Sequence, residues 1–431
     1  MARTSVELFA GGGGLVQAAR QAGFRPLLMN EFAKRACETL EQNKGALVPE
    51  GERPRIPNEG DPTPLVAGDV RKLEMEYLEG KVDLLAGGPP CQPFSLGGIA
   101  KGDEDKRNMF PEMFRAVREI KPKAVLCENV RGLLRPSFKP YFQYILRELE
   151  LPFVERTEGT TWQEHDALLR SVMASDEVPA EQRYDVIVTE VNAANYGVPQ
   201  IRHRVIIVAF RADLGVDRDV FKRSIQETHS EEALQQSMLD GSYWARHPEV
   251  TEDVKKRAMA SFSSRPPLPA TGDTRKQPWR TLRDAIKGIQ PGEGPLPKVP
   301  LDELDKKKPQ GGVPDHVGWP GARIYSGHTP NMLDRPAKTV KAGVHGVPGG
   351  ESVMLLDQSV PDENEQEGRR YLHRYMTVRE TARVMTFRDD WTLCGPRGEK
   401  MRQLGNAVPV LLGEVFAKAA GEALDAAEKG K

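Results

Sequence analysis

The chain has 431 residues with 61 basic and 62 acidic side chains, which leaves a formal net charge of −1. This length allows a full hydrophobic core and more than one domain, and the balanced charge means that any nucleic-acid binding requires a local basic face. The four cysteines lie far apart and form no Cys-x-x-Cys pair, which disfavours structural zinc and a disulfide framework. Without a signal-peptide pattern or an apolar run long enough to span a bilayer, the sequence predicts a soluble, reduced, cytoplasmic enzyme with no membrane partner.

The chain opens with a strand, a glycine turn and a helix. We predict the strand over residues 4–9, the turn over residues 10–14 and the helix over residues 15–20. A second predicted strand, residues 26–30, ends at Glu31, whose carboxylate could accept hydrogen bonds from both hydroxyls of a ribose. Together these features favour a nucleoside-type cofactor. The turn alone is equally typical of a tight β–α connection, and it contains no phosphate-binding Lys or Arg.

The next segment combines a helix, an excursion and a short strand. We predict the helix over residues 34–42, a surface excursion over residues 44–64 and a strand over residues 65–67. Asp69 follows this strand, and its carboxylate could accept a hydrogen bond from an exocyclic amine. Asp69 is therefore a candidate for contact with a nucleobase.

A cysteine stands in the stretch over residues 87–95, Gly-Gly-Pro-Pro-Cys-Gln-Pro-Phe-Ser, which follows the predicted strand of residues 82–86. Prolines on both sides of Cys91 fix φ and remove backbone donors, and the glycines allow a sharp turn, so a stiff loop presents the thiol. A thiolate stabilised there by cations or helix N-terminal amides would be a strong nucleophile. A buried structural cysteine is the alternative from these residues alone. The polar run over residues 96–108 fits a mobile lid or an ordinary surface loop.

A carboxylate follows the next strand. A helix over residues 109–120 and a strand over residues 124–127 lead to Glu128. Because the carboxyl ends of parallel strands share one crevice, we expect Glu128 to lie beside Cys91. Cys127, inside the strand, fits the core better than chemistry.

Two arginines stand before a later strand. Residues 151–183 are polar and predict an inserted helical or loop segment, after which strands are predicted over residues 184–188 and 205–210. Alternate residues of a strand point to the same face, so Arg202 and Arg204 are expected to point the same way. Such a pair suits a phosphate or a carboxylate. A surface ion-pair ladder is the alternative.

The strand–helix alternation stops near residue 213. Residues 213–372 are rich in Pro, Gly and charge, which predicts a second domain of loops and short strands. A helical pattern returns over residues 377–385, and a last apolar helix is predicted over residues 410–424. The fold class is therefore α/β, with a smaller irregular domain added.

With its motifs in this order, the chain resembles the cytosine-C5 DNA methyltransferase family of bacterial restriction-modification systems. Residues 7–14, 87–95, 128–130 and 200–204 resemble the family's S-adenosylmethionine loop, catalytic loop, acidic motif and paired arginines. Residues 379–380 and 405–409 resemble its last two motifs, and residues 339–340 resemble a Thr-Leu or Thr-Val pair in its target recognition domain. The visible departure is Glu7, where the family more often has Asp.

The resemblance implies a Rossmann-like S-adenosylmethionine-dependent methyltransferase domain with a mixed, mostly parallel sheet, formed by residues 1–212 and 400–431. It implies a smaller irregular target recognition domain over residues 213–372 and a hinge or connecting helix over residues 373–399. The implied protein is a monomer of the bacterial or archaeal cytoplasm that acts on double-stranded DNA without a metal. A separately encoded restriction endonuclease is its implied partner.

The resemblance also implies roles for individual residues. The thiolate of Cys91 would add to C6 of a flipped-out cytosine, Glu128 would hold N3 and the exocyclic amine, and Arg202 and Arg204 would steady the base. Cofactor contacts are implied for Phe9, Ala10, Gly11, Gly13, Gly14, Leu15, Glu31, Phe32, Asp69, Val70, Pro89, Met109, Asn406 and Val408. DNA contacts are implied for Gln92, Ser95, Arg204, Arg323, Thr339 and Val340.

Three other functions fit less well. A Cys-His hydrolase would need a histidine near Cys91, and His203 is flanked by arginines that would disfavour its protonation. A catalytically silent DNA-binding regulator would not need both Cys91 and Glu128. The main alternative is an RNA-modifying relative, but that branch tends to have a Cys-Phe-Thr signature and a small variable region. Here the variable region has 160 residues, from 213 to 372, which favours loops that read a duplex DNA groove.

Overall fold

The computed structural model describes residues 2–90, 108–175, 177–263, 276–324, 326, 329–343, 352–364 and 368–430. The chain forms two compact units. The first unit comprises Met1–Val191, His203–Gln226 and Leu412–Lys431, and the second comprises Asn192–Arg202 and Glu227–Leu411. The predicted boundaries at residues 212, 372 and 399 do not coincide with these limits, and the functional division based on them stays a prediction. Within the described residues, no helix combines the length and apolar character that a membrane span requires.

The first unit is built on an eight-stranded sheet with the order β3-β4-β2-β1-β5-β6-β8-β7. Its strands are β1 Thr4–Leu8, β2 Arg25–Glu31, β3 Gly45–Leu47, β4 Thr63–Ala67, β5 Leu84–Gly87, β6 Ala124–Val130, β7 Tyr184–Asn192 and β8 His203–Arg211. All pairings from β3 to β6 are parallel, and β8 pairs antiparallel with β6. The sheet is therefore mixed and mostly parallel, as predicted.

Helices cover this sheet: α1 Gly14–Gln21, α2 Lys34–Gln42, α3 Phe110–Ile120, α4 Lys139–Glu150, α5 Trp162–Ser175 and α6 Arg218–Ser224. The central strands are buried on both faces, which explains their continuous apolar runs. Val6, Leu28, Leu85 and Val125 are fully buried and share one core with Phe110 and other residues of α3 and α4. This packing fixes the strand ends, where the predicted site residues stand.

The second unit consists of short helices and two small sheets. Its helices are α7 Glu231–Leu239, α8 Ser242–Arg246, α9 Glu252–Ser263, α10 Leu282–Lys287, α11 Val378–Val384 and α12 Arg397–Asn406. β9 His229–Ser230 pairs parallel with β10 Gln277–Pro278, and β11 Val353–Pro361 pairs antiparallel with β12 Arg369–Tyr375. Capping boxes begin α10 and α11, since a Thr hydroxyl and an acid three residues later satisfy the first free amides. The last helix, α13 Val410–Lys429, belongs to the first unit from Leu412 onward.

Several predictions from the sequence were wrong in detail. The excursion over residues 44–64 contains β3, which pairs with β4. Residues 213–372, predicted as loops and short strands, include the helices α6 to α10. Strand β8 begins at His203, so Arg202 lies before the strand instead of sharing a strand face with Arg204. The predicted helices over residues 34–42, 109–120, 377–385 and 410–424 are confirmed to within five residues at their ends, and α12 was not predicted.

Candidate active site

The glycine turn after β1 is fixed from the end of β2. Phe9, Gly11 and Gly13 have positive φ of 54°, 54° and 90°, which explains the glycines. The Glu31 carboxylate accepts a hydrogen bond from the Gly11 amide at 2.7 Å through Oε2 and another from the Ala33 amide at 2.7 Å through Oε1. Glu31 therefore ties the turn to its own strand end.

These residues fit the nucleoside part of S-adenosylmethionine. Each oxygen of an ionised carboxylate has two acceptor positions, so Glu31 can still accept from ribose hydroxyls while it holds the turn. The ring of Phe32 is 78% exposed, an unusual state for a large apolar side chain, and offers a face on which an adenine could stack. The predicted residues Ala10, Leu15 and Val70 are buried. Ala10 lies in the glycine turn, Leu15 in α1 and Val70 in the short turn after Asp69.

The carboxylate of Asp69 already accepts hydrogen bonds from Arg71, which the sequence did not predict. Its carboxylate caps a short 3₁₀ turn by accepting from the Arg71 amide at 3.1 Å, and it accepts from the Arg71 guanidinium at 2.6 to 3.0 Å. The Arg71 side chain is the main reason why the pKa of Asp69 is lowered. A nucleobase amine would have to share this carboxylate with Arg71.

The start of the Gly-Gly-Pro-Pro-Cys loop lies against β6. Gly87 pairs with Cys127, and a side chain at Gly87 would come within 3.0 Å of Met113 Sδ and 3.2 Å of the Leu8 carbonyl, which explains the glycine. A Cβ at Gly88 would lie 3.8 Å from Glu128 Oε2, so the loop passes close to that carboxylate. The predicted residues Cys91, Gln92 and Ser95 lie outside the described residues.

Asn129 holds the same loop and was not predicted as a site residue. Its Nδ2 donates to the carbonyl of the buried Pro89 at 3.1 Å. Neighbouring residues of a strand point to opposite faces. The position of Asn129 directly after Glu128 could therefore have indicated that its side chain lies on the other face of β6. Of the predicted lid, only Asn108 is described; it is buried and donates to the Tyr141 hydroxyl at 2.6 Å, just before the half-buried Met109.

Glu128 forms a largely buried ion pair with Arg204. Arg204 Nε lies 2.7 Å from Glu128 Oε1, although the N–H does not point along a hydrogen-bond direction. Because Val130 is the register partner of Arg204 in the antiparallel pair of β6 and β8, Glu128 and Arg204 are diagonal neighbours on one sheet face. The pair places a carboxylate and a guanidinium next to the loop that leads to Cys91.

Arg202 has a different environment. Its side chain is 1% exposed, and its guanidinium donates to the carbonyls of Val340, Gly405 and Ala407 at 2.9, 3.0 and 2.9 Å. All these residues belong to the second unit. These bonds join the Arg202 guanidinium to the backbone of three residues. Such an arrangement indicates that Arg202 positions the backbone.

The Thr339-Val340 pair is held in the same network. Thr339 Oγ1 donates to the Ile201 carbonyl at 2.8 Å, and the buried Val340 donates its amide to Gln200 Oε1 at 3.0 Å. Sequence reasoning included Gln200 in the motif of residues 200–204 but assigned it no role of its own. Arg323, in contrast, is exposed and has no hydrogen bond or ion pair within the described part of the chain. Asn406 is exposed and Val408 is buried, both in the second unit.

His203 is less readily protonated than an ordinary histidine, which disfavours the hydrolase alternative. Partial burial lowers the pKa of His203, and the charges of Arg131 and Arg204 lower it further. The reason given by the sequence, disfavoured protonation between arginines, is confirmed for Arg204.

Known proteins are similar to this chain in fold and in sequence. The structure of the methyltransferase EhMeth from Entamoeba histolytica matches with a TM-score of 0.52 at 12% identity and covers 99% of both chains. The type II methyltransferase M.PspPI from Psychrobacter sp. strain TA137 is 30% identical over 430 residues, which is 98% of this chain and 80% of that protein. M.Eco47II from Escherichia coli, also a type II methyltransferase, is 30% identical over 431 residues, 99% of this chain and 80% of its own length.

The fold is thus that of a methyltransferase, and the family can be stated as well. The family model described as C-5 cytosine-specific DNA methylase matches residues 3–151 and 175–422. The chain belongs to this family and is a cytosine-C5 DNA methyltransferase, an enzyme class that takes its methyl group from S-adenosylmethionine. Residues 152–174, which the family model leaves out, fall within the predicted insertion over residues 151–183.

Proposed function

We propose that the enzyme methylates C5 of a cytosine in a specific duplex DNA sequence, with the base flipped out and bound covalently through C6 to Cys91. We further propose that this methylation protects DNA from a cognate restriction endonuclease. The Glu128–Arg204 ion pair beside the loop that leads to Cys91 carries the chemical part of this proposal. The names of M.PspPI and M.Eco47II as type II methyltransferases support the protective role.

The proposed chemistry follows from the weakness of cytosine C5 as a nucleophile. When the Cys91 thiolate forms a bond to C6, the electrons of the C5–C6 double bond become available at C5. Glu128 would hold N3 and the exocyclic amine and so stabilise the charge that develops on the ring, with Arg204 keeping the carboxylate in place. Bound S-adenosylmethionine supplies an electrophilic methyl group. A solvent base then takes the C5 proton while the C6–S bond breaks, which returns the thiolate to Cys91 and restores the aromatic ring.

The cofactor would be held by Glu31, the glycine turn over residues 10–14 and Phe32. The double role of Glu31, whose carboxylate already accepts two backbone amides, supports this assignment. Pro89, Met109, Asn406 and Val408 remain proposed contacts. The product would be S-adenosylhomocysteine, and the reaction would need no metal.

Target reading is proposed for residues 213–372, with Arg323 as the residue best suited to contact DNA because it is exposed and unpaired within the described residues. Thr339 and Val340 would act by positioning the backbone, since their polar groups already bond to Ile201 and Gln200. Exchange of residues 213–372 for the matching region of a relative with another target should move methylation to that other sequence. A chimera that stays active and keeps the original site would place the reader elsewhere.

Two experiments test the reaction. Bisulfite sequencing of plasmid DNA from an expressing host should reveal one methylated sequence context. Duplex DNA with 5-fluorocytosine at that position should form a denaturation-resistant adduct with the wild-type enzyme and none with Cys91→Ser. An adduct that persists in Cys91→Ser would remove this residue from the mechanism.

A further inference from the structure

A basic cavity lies in the second unit, and its lining shares no residue with the candidate active site described above. It has a volume of about 620 Å³, and its walls come from β9, β10, α8 and α10 and the segment after α10. The charged residues in its lining are Arg246, Arg280 and Lys287, opposed by the single carboxylate of Asp284. His229 and His247 complete the polar lining.

The carboxylate of Asp284 already has partners within the protein. Asp284 Oδ2 accepts from the amide and hydroxyl of Thr281 in the capping box at the start of α10. Its Oδ1 lies 2.9 Å from His247 Nε2 and 3.5 Å from Arg246. The Lys287 ammonium donates to the Arg246 carbonyl, a neutral group, so its charge is not cancelled.

Arg280 is the least compensated of these cations. It is half-buried, and within the described residues it forms neither a hydrogen bond nor an ion pair. Asp284 and Glu293 act on it only through space, while burial, the larger effect, lowers its pKa. A guanidinium that is partly removed from water without a partner is unfavourable, and an incoming anion would restore its hydrogen bonds.

The histidine in the wall next to Arg280 adds hydrogen-bonding capacity but no charge. Burial, with a smaller contribution from Arg280, lowers the pKa of His229 to about 4, so its imidazole is neutral at pH 7. Its Nδ1 lies 2.8 Å from the Thr228 hydroxyl, and its ring packs against Gly197, where any Cβ would clash with it. His229 therefore adds no positive charge to the cavity at pH 7.

We propose that this cavity binds a phosphate group of the DNA backbone, with Arg280 as its principal contact. The planar fork of an arginine matches two phosphate oxygens, and a phosphodiester is the anion that a DNA methyltransferase meets in every complex. The proposal rests on DNA being the substrate. Such a contact adds affinity and orientation for any sequence, because phosphates carry no base information.

The salt dependence of duplex binding tests this site. The dissociation constant of the full-length protein for a 30-base-pair duplex is measured by fluorescence anisotropy at several chloride concentrations, for wild type, Arg280→Gln and Arg280→Lys. Loss of one phosphate contact should reduce the slope of log K against log salt by about 0.9 in Arg280→Gln, and Arg280→Lys should recover most of it. Arg370→Gln is the matched control, because Arg370 is an exposed arginine of the same unit, paired with Asp362 and outside the cavity.

Competition with inorganic phosphate distinguishes a site for the DNA backbone from a site for free phosphate. At constant ionic strength, phosphate should compete with DNA more strongly than chloride does for wild type, and this excess should vanish in Arg280→Gln. An unchanged slope in Arg280→Gln, an equal loss in Arg370→Gln, or phosphate binding at Arg280 that leaves the DNA slope unaltered would each overturn the proposal. If wild type neither binds nor methylates duplex DNA, the proposed function itself fails. A wild-type urea unfolding transition of Arg280→Gln, followed by the tryptophan fluorescence that comes mainly from the second unit, would show that the variant is folded.

Discussion

Replacement of Arg202 by methionine should destabilise the second unit strongly. Arg202 bonds to three backbone carbonyls, and one of them, Gly405 O near the end of α12, has no helical donor because residue 409 is proline. The guanidinium thus caps a helix C-terminus, where a positive charge is also favourable. A buried carbonyl left without a partner costs about 1 to 3 kcal/mol, so with partial relaxation the total loss should be about 3 to 6 kcal/mol.

Urea unfolding followed by tryptophan fluorescence can measure this loss. The second unit contains Trp244, Trp279, Trp319 and Trp391, four of the five tryptophans, and the signal therefore reports mainly on that unit. With a slope of about 2 kcal/mol per molar urea, the midpoint should fall by about 2 M. Arg202→Lys should lie in between, since an ammonium cannot reach all three carbonyls in the same geometry.

Arg204→Met is the matched comparison. Arg204 pairs with Glu128 in the first unit, so its loss should leave the tryptophan transition nearly unchanged while methyl transfer is abolished. The positioning role assigned to Arg202 would be refuted if Arg202→Met kept the wild-type urea midpoint and nevertheless lost all methyl transfer. That result would place the guanidinium in contact with the reacting base.

Three further outcomes are expected. Glu31→Ala should weaken S-adenosylmethionine binding about tenfold or more by calorimetry, because bonds to a charged acceptor contribute about 1.5 to 3 kcal/mol. Replacement of the half-buried Glu38, which pairs with Arg35, by alanine should not weaken it. Gly405→Ala should lower the urea midpoint, since a Cβ there would meet the backbone of Lys341 and Ala342, while Gly421→Ala in α13 has room and should not. Burial raises the pKa of Glu7 to about 8, so between about pH 5 and pH 8 the folded state keeps a proton that the unfolded state releases. The free energy of unfolding should therefore fall by about 1.4 kcal/mol per pH unit over this range. Glu7→Gln should remove this fall in unfolding experiments at several pH values, and an unchanged pH dependence would contradict the burial argument.

Short-range signals explain what the sequence could predict. Strand, turn and helix follow one another within a few residues around Gly11. Glu31 ends the buried strand β2, and Glu128 lies two residues before the end of the buried strand β6. Because parallel strands end at one edge, the order of motifs alone indicated a shared site. The helices of residues 213–372 were missed although Thr281 and Asp284 carry a capping-box signal before α10, since the surrounding Pro and Gly suggested loops.

Long-range packing explains what it could not predict. The partners of Arg202 lie 138 to 205 positions away along the chain, and no local pattern relates them. The requirement for glycine at position 405 is equally invisible, because the backbone that excludes a side chain there belongs to residues 341 and 342. The expectation that Arg202 and Arg204 form one pair was built on strand alternation through residue 202, whereas β8 begins at His203, before the predicted strand of residues 205–210 but one residue after Arg202.

The stretch Gln200-Ile201-Arg202-His203-Arg204 therefore serves two purposes that its regular spacing hides. Up to Arg202 the chain belongs to the second unit, where Gln200 and Arg202 bond the Val340 amide and carbonyl and Ile201 accepts from Thr339. From His203 onward it belongs to the first unit, where Arg204 faces Glu128. Two arginines two residues apart can thus be required for unrelated physical reasons, one for satisfying backbone carbonyls and one for holding a carboxylate. A loss of activity on mutation does not tell these roles apart, whereas the free energy of unfolding of the second unit does.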